Sequence, residues 1–460
     1  MALIRSIIFI TMIFLKIQIL LSAAGEPSLS PSTCDSQKCL LPDCLCTSTT
    51  APGGLNPEEI PQMVFLTFDD AVADVMYPTY QRILQNRINP NSCNIGMTFF
   101  VTHEGTNYRL VNELFNRGNE IASHTVMHTM DYEYWKNTSA DFWLKEIGYQ
   151  RHLLHTYGNI PIDKIQGFRA PFLQTGGDAT FTALRTLGMN YDSSMTTAEL
   201  MDPPTWPFTM DYGYGPTHEC RDPPCGKESH PGLWSIPIVE FRNGEKGSPC
   251  NMADICFPPF KTANPEPYNV TAEEIFNYFM FNFNRFTKTR APFGIHQHVY
   301  WFLNNEPILQ GFLQFLDYLA TLDYVYIVPI SKGIEWMRNP MPLNQMKNKD
   351  VFNCDESAKS SAPCRKPQVC YYTQSAPGGP RFMGTCAPCP AEYTWLPDQY
   401  DPVPITTTTV PTTTQTIPST VTYTTSFPNS SASDPDNNNL VMHLILILQG
   451  LILGCLHFFC

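Results

Sequence analysis

Two adjacent carboxylates, Asp69 and Asp70, close the apolar run Met63–Phe68. Neighbouring side chains diverge after a strand, so one carboxylate can bind a metal while the other acts as a base. A helix N-cap or a solvated turn explains an isolated Asp-Asp pair equally well. Further on, His124 and His128 stand four residues apart in His-Thr-Val-Met-His. On one side of a helical turn that spacing lets both imidazoles grip one zinc ion; two ordinary histidines are the plain alternative. Two neutral imidazoles and Asp70 suit zinc and leave one coordination position open for water. Arg169 and Asp192 each end a strand candidate. A guanidinium placed there holds a neighbouring carboxylate ionised, although a surface ion pair or a turn accounts for either residue alone. His296 and His298 lie two apart on Phe293–Val299, and so on one face of that strand, with a core role open to one of them. Trp206, Trp234, Tyr300 and Trp301 offer flat rings to a sugar, or simply pack.

The shared feature is position at strand ends, so the elements matter. Met63–Phe68, Met97–Val101, Glu120–Ser123, Gln166–Arg169, Tyr191–Ser193, Leu233–Val239, Phe293–Val299 and Val325–Ile330 read as strands. Between them fall helical patterns: Leu110 to Phe115 stopped by Gly118, Asp141–Tyr157 before Gly158, an aromatic-rich helix ending at Phe286, and Ile308–Leu322. Thr271 with Glu274 forms a capping-box pattern ahead of the aromatic-rich helix. Alternating β and α units imply a parallel α/β sheet, and this many of them favour a (β/α) barrel. In such a barrel the carboxyl ends of the strands carry the chemistry.

The chain has 460 residues, 43% apolar and 15% charged, with a formal net charge of −13. That excludes global disorder and coiled coil, and it argues against nucleic-acid binding, which rests on clustered Lys and Arg. An apolar run from Ser6 to Leu21 ahead of Ala23 and Ala24 reads as a signal peptide over 1–24, with a retained anchor as the alternative. At the other end, small residues Asn429–Ser433, a polar spacer and the apolar tail Leu440–Cys460 have the arrangement of a GPI-attachment signal over 434–460, against a single-pass anchor. The protein is therefore expected outside the cell, at the outer face of the plasma membrane, as a monomer. Setting aside Cys455 and Cys460 with the tail leaves an even number of the 16 cysteines, which suits disulfides in an oxidising compartment. Their pairing is open. Residues 25–56 and 346–398 are Cys-rich segments flanking a main domain at 57–345, and 399–433 is a Thr/Ser/Pro-rich stalk that cannot bury a core. Zinc is the rival for the first cysteine cluster. Asn137, Asn269 and Asn429 begin glycosylation sequons.

In order, Thr67-Phe68-Asp69-Asp70, His124-Thr125-Val126-Met127-His128, Arg169-Ala170-Pro171-Phe172, Tyr191-Asp192-Ser193-Ser194 and Gly294-Ile295-His296-Gln297-His298 resemble the motifs of the polysaccharide deacetylases with a NodB-homology domain, and among them the animal chitin deacetylases and their relatives. The resemblance covers roughly 57–345, together with Cys39–Cys46 and Cys386–Trp395. It implies a distorted (β/α) barrel, zinc on Asp70, His124 and His128, and Asp69 as the base, kept ionised by Arg169. It also implies that the Phe172 N–H helps hold the oxyanion and that His298 is the acid, oriented by Asp192, with His296 as its rival. Trp206, Ile295 and His296 would contact the substrate, chitin or a related N-acetylglucosamine polymer; Ile295 and His296 stand where the family usually offers a leucine to the acetyl group. A catalytically silent chitin-binding or matrix-organising protein, or a deacetylase of another polysaccharide, are the competing readings.

Overall fold

The structure, a computed structural model, describes residues 34–197, 202–214, 220–256, 270–303, 305–346, 352, 354, 363–373 and 379–402. Its main sheet begins with β1 (Gln62–Asp69), β2 (Thr98–Val101), β3 (Glu120–Ser123), β4 (Gly167–Phe168) and β5 (Tyr191–Asp192). It continues with β6 (Phe208–Thr209), β7 (Trp234–Ser235), β10 (Phe293–Gln297) and β11 (Val325–Ile327). Two small hairpins, β8 (Phe241–Arg242) with β9 (Pro249–Cys250) and β12 (Gln368–Tyr372) with β13 (Arg381–Thr385), stand apart from it. The helices of eight residues or more are α1 (Tyr77–Leu84), α2 (Tyr108–Asn116), α3 (Ala140–Gly158), α4 (Asp178–Thr186), α5 (Ala272–Phe286), α6 (Glu306–Leu319) and α7 (Ile330–Arg338).

Strand order is β10-β1-β2-β3-β4-β5-β7-β6, parallel at every pair except β7 with β6. β11 pairs with the first residues of β1, Gln62–Val64, while β2 pairs with its last, Thr67–Asp69. The carbonyl of Ile327 in β11 also accepts from Gly96 N, just ahead of β2. The sheet curls with helices outside it, a distorted (β/α) barrel in which β6 ends the ladder antiparallel. Strands covered on both faces read as continuous apolar runs rather than alternating ones; all eight residues of β1 are buried. Outside β10, the aromatic face of α5 (Phe279, Phe283, Phe286) packs on Phe293 and on Phe315 of α6. The Thr271–Glu274 capping box starts α5 as the sequence predicts, each residue satisfying a backbone N–H of the other.

Because the pairs are parallel, the carboxyl ends of β1 to β5 and β10 open on one face. The cysteines form Cys34–Cys46, Cys39–Cys44, Cys93–Cys354, Cys220–Cys225, Cys250–Cys256, Cys364–Cys386 and Cys370–Cys389, so the N-terminal cluster holds two disulfides. Both flanks are laced to the barrel: Trp206 N bonds Ser48 O, and Cys386 N bonds Tyr157 O. No helix among the described residues is long and apolar enough to cross a membrane. The predicted signal peptide, the stalk beyond residue 402, the GPI signal, Asn269 and Asn429 lie outside the described residues.

Candidate active site

Asp70 directly follows β1, His124 directly follows β3, and the loop after His124 brings back His128. Their ligand atoms lie within 4.8 Å of one another. His128 Nε2 stands 3.4 Å and His124 Nε2 3.8 Å from Asp70 Oδ1. Ligands about 2 Å from a tetrahedral zinc stand roughly 3.3 Å apart, so the donor set and its spacing fit such an ion. His124 Nδ1–H donates to the Arg169 carbonyl at 2.7 Å, which fixes the tautomer and leaves Nε2 with its lone pair toward the ligand cluster. Burial pushes the His124 imidazole down to about 4, so it stays neutral. Burial works against the Asp70 carboxylate, yet His298, His128 and His124 around it hold its pKa below the ordinary value.

The two histidines do not share a helical turn. Residues 124–128 form a loop, with Thr125 (φ 70) and His128 (φ 41) in the left-handed region. Glu146 on α3 makes this possible: its carboxylate accepts the N–H groups of Val126 at 2.8 Å and Met127 at 3.0 Å. Burial raises Glu146 to about 7, against the pull of those two bonds. Asp70 (φ 79), Phe172 (φ 55) and Leu173 (φ 60) are left-handed as well. Non-glycine residues in that conformation cost on the order of 1–3 kcal/mol each and gather at functional sites.

Arg169 organises the side that holds Asp69. It is fully buried, over the Phe100 ring at 4.0 Å, and all five of its N–H groups have partners. Nε donates to Ser193 O (2.7 Å), Nη1 to Asp69 Oδ1 (2.6 Å) and Thr67 Oγ1 (2.9 Å), and Nη2 to Ser193 Oγ (2.9 Å) and His296 Nδ1 (2.9 Å). His296 therefore accepts from a cation; burial first, and Arg169 next, keep it well below its usual pKa and neutral. His298 differs. The strand ends at Gln297, so the two histidines part company instead of sharing a face. His298 Nδ1 bonds Asp254 Oδ2 at 2.9 Å, and its Nε2 points toward Asp70 Oδ2 at 3.8 Å. Burial opposes a charge on His298, but Asp254 and the aspartates beyond it outweigh that and push it up to about 10.

Four sequence expectations are corrected here. Asp192 does not orient His298: its carboxylate accepts from Ser194 N (3.0 Å) and Ser194 Oγ (2.5 Å). Ser194 Oγ in turn accepts from Ala170 N at 2.8 Å, so Asp192 holds the turn that carries Phe172. Burial raises it to about 6. The His298 partner is Asp254, in the short helix Ala253–Cys256 beneath the Cys250–Cys256 disulfide. Sequence reasoning missed it because it ends no strand; a lone acid inside a tight cystine loop is the signal that could have found it. Trp206 is 1% exposed and stacks on Trp336 at 6.2 Å, and Ile295 is buried in the main core, so neither reaches a groove. His296 is equally enclosed. Of the four rings considered, only Tyr300 reaches the surface, at 53% exposure, stacked on His298 at 5.0 Å. Exposed Phe172 packs against His128 at 5.4 Å on the opposite flank.

A barrel whose strand ends gather three residues able to hold a metal ion, an arginine-bound carboxylate and a carboxylate-bound histidine has the parts of a hydrolase. The family model for polysaccharide deacetylase matches residues 57–191. Chitin deacetylase 8 of Bombyx mori is 35% identical over 383 residues, 82% of this chain and 96% of that protein. Chitin deacetylase 1 of Bombyx mori is 34% identical over 388 residues, 81% of this chain and 69% of that protein. Among solved structures, the chitin deacetylase of the fungus Colletotrichum lindemuthianum aligns with 60% of this chain and 89% of its own, at 14% identity and a TM-score of 0.34. The chain belongs to the polysaccharide deacetylase family.

Proposed function

We propose that this protein is a zinc-dependent deacetylase that removes N-acetyl groups from N-acetylglucosamine units of chitin or a chitin-like polysaccharide. One observation carries the reading: Asp69 on Arg169, the Asp70–His124–His128 cluster and His298 on Asp254 converge at a single strand-end face. The extended similarity to two chitin deacetylases supports the substrate class. Zinc held by Asp70, His124 and His128 would lower the pKa of a water and polarise the amide carbonyl.

The chain's own residues account for the proton traffic. Asp69, aimed by the hydrogen bond from Arg169 Nη1, takes a proton as the water oxygen bonds to the acetyl carbon. The Phe172 N–H, in the left-handed turn after β4, is the backbone donor we assign to the developing oxyanion. His298, charged through Asp254, protonates the sugar nitrogen as the C–N bond breaks, so acetate and a free amine leave. His296 is a positioning residue for Arg169. A matrix-binding protein without catalysis would need none of this paired charge. Phe172 and Tyr300 flank the cluster and would bear on the sugars, in place of Trp206 and Ile295.

Seven disulfides mark an oxidising compartment. We further propose secretion, a GPI anchor at the plasma membrane and glycosylation at Asn137, which is exposed at the end of a short helix. The test is acetate release from chitin oligomers with added zinc, with chelator, and with Asp69→Ala. Chelator-sensitive release that Asp69→Ala abolishes, by at least about 100-fold, is expected. Zinc-loaded protein that releases no acetate from chitin, peptidoglycan or acetylxylan would sink the proposal.

A further inference from the structure

The C-terminal Cys-rich segment carries a face that the reaction does not use. β12 and β13 pair antiparallel, Tyr371 opposite Phe382, Cys370 opposite Met383 and Val369 opposite Gly384. Residues alternate faces along a strand. Cys370 and Met383 turn inward and are buried, while Val369, Tyr371 and Phe382 share the outer face at 77%, 58% and 49% exposure. Directly opposed partners have Cβ atoms about 5 Å apart, so the Tyr371 and Phe382 side chains leave that face from neighbouring positions. That outer face holds no charged residue. Cys364–Cys386 and Cys370–Cys389 staple the hairpin in place. A water-soluble hairpin gains nothing in folding by presenting two rings and a valine to solvent.

The same hairpin is fastened to the rim of the active site. Arg381 pairs with Glu104 at 2.8 Å, just beyond the end of β2. Tyr393, in the segment after the hairpin, packs on His103 at 4.8 Å. Gly384 approaches Asn107 so closely that a Cβ there would collide with the amide of Asn107. Asn107 donates its side-chain N–H to Asp74 Oδ2 (2.9 Å) and its backbone N–H to Val72 O (2.8 Å). Both acceptors lie on the segment that follows the ligand Asp70. The outer face of the hairpin thus runs up to the loop that frames the metal cluster.

An uncharged aromatic patch selects a neutral partner. Pyranose rings have an apolar face of axial C–H groups that lies flat on an aromatic ring, and their hydroxyls stay in water. Three partly exposed side chains offer on the order of 300–400 Å², well short of the roughly 800 Å² per partner of a stable protein interface, so the patch is too small for a second copy of this chain. We infer that Tyr371, Phe382 and Val369 form a secondary binding surface for the N-acetylglucosamine polymer, which holds the chain beside the catalytic rim. The inference rests on the deacetylase reading of the site for the identity of its ligand.

The experiment uses the full chain, with insoluble chitin as the binding probe and a three-sugar N-acetylglucosamine oligomer as the turnover probe. Tyr371→Ser/Phe382→Ser should bind chitin about tenfold more weakly while releasing acetate from the trimer within twofold of the parent. The ring-preserving swap Tyr371→Phe/Phe382→Tyr should bind as the parent does. Unchanged chitin binding by the double-serine protein overturns the inference. So does a parallel loss of trimer turnover, which would assign the effect to folding or to the site itself, and so does a concentration-dependent dimer that the serines abolish. Should the parent release acetate from nothing, the deacetylase reading fails on its own, and the chitin-binding comparison still reads the hairpin.

Discussion

His298 and His296 sit two residues apart and their pKa values shift in opposite directions because of what each touches. His296 accepts from Arg169, whereas His298 donates to Asp254. The alkaline limb of activity should therefore follow His298, whose proton is retained up to about 10. Replacing Asp254→Asn removes the main attraction holding that proton, and the alkaline limb in a pH–rate profile should move acidward by at least about 1 pH unit. An unmoved limb would take the acid role from His298. Stability has the same sign: a raised histidine pKa contributes fully below the unfolded value of about 6.5 and fades as pH rises through about 10. Trp206 gives the contrasting residue-scale case. Its ring is enclosed against Trp336, so Trp206→Ala should lower unfolding free energy by about 3–5 kcal/mol in a denaturant titration. A change confined to the KM for chitin oligomers, with stability intact, would restore it to the substrate.

At the scale of elements, the site depends on a loop that departs from helical geometry. The sequence places His124 and His128 at a spacing that suits one turn, but the left-handed Thr125 and His128 bring the rings together by another route. α3 pins that route through Glu146. Outer groups that orient metal ligands are worth about 10–100-fold in affinity. Glu146→Ala should weaken zinc binding by about that factor in a calorimetric titration, with the far-ultraviolet spectrum unchanged, because α3 keeps its own Ser139 cap. The element pattern itself was legible: β1, β3, α3, α5 and β10 fall within a residue or two of their sequence readings. β4, β5 and β7 are shorter than read, two residues each, since regular pairing stops where the chain turns toward the site.

On the scale of the molecule, the flanking segments are structural parts of the barrel. Cys93–Cys354 ties the loop ahead of β2 to the chain beyond α7 across 261 residues. Cross-links over long loops restrict the unfolded chain most. Cys93→Ser/Cys354→Ser should cost about 2–5 kcal/mol, read as a fall in Tm, while the zinc affinity of the remaining fold holds. An unchanged Tm would mean that the C-terminal segment is held by its side-chain contacts alone.

The sequence by itself determined most of the barrel strands, the helices α3 and α5, the gathering of Asp70, His124 and His128 and, through the family resemblance, the Asp69–Arg169 pairing. These are written in local apolar periodicity and in motifs whose residues end parallel strands, and parallel pairing alone brings such ends together. Only the tertiary structure decided the cysteine pairing, the Asp254–His298 bond across 44 residues, the neutral state of His296 and the burial of Trp206 and Ile295. Each depends on which remote group faces which, and on the electric field and burial at that point. A linear pattern of residue types carries no record of either.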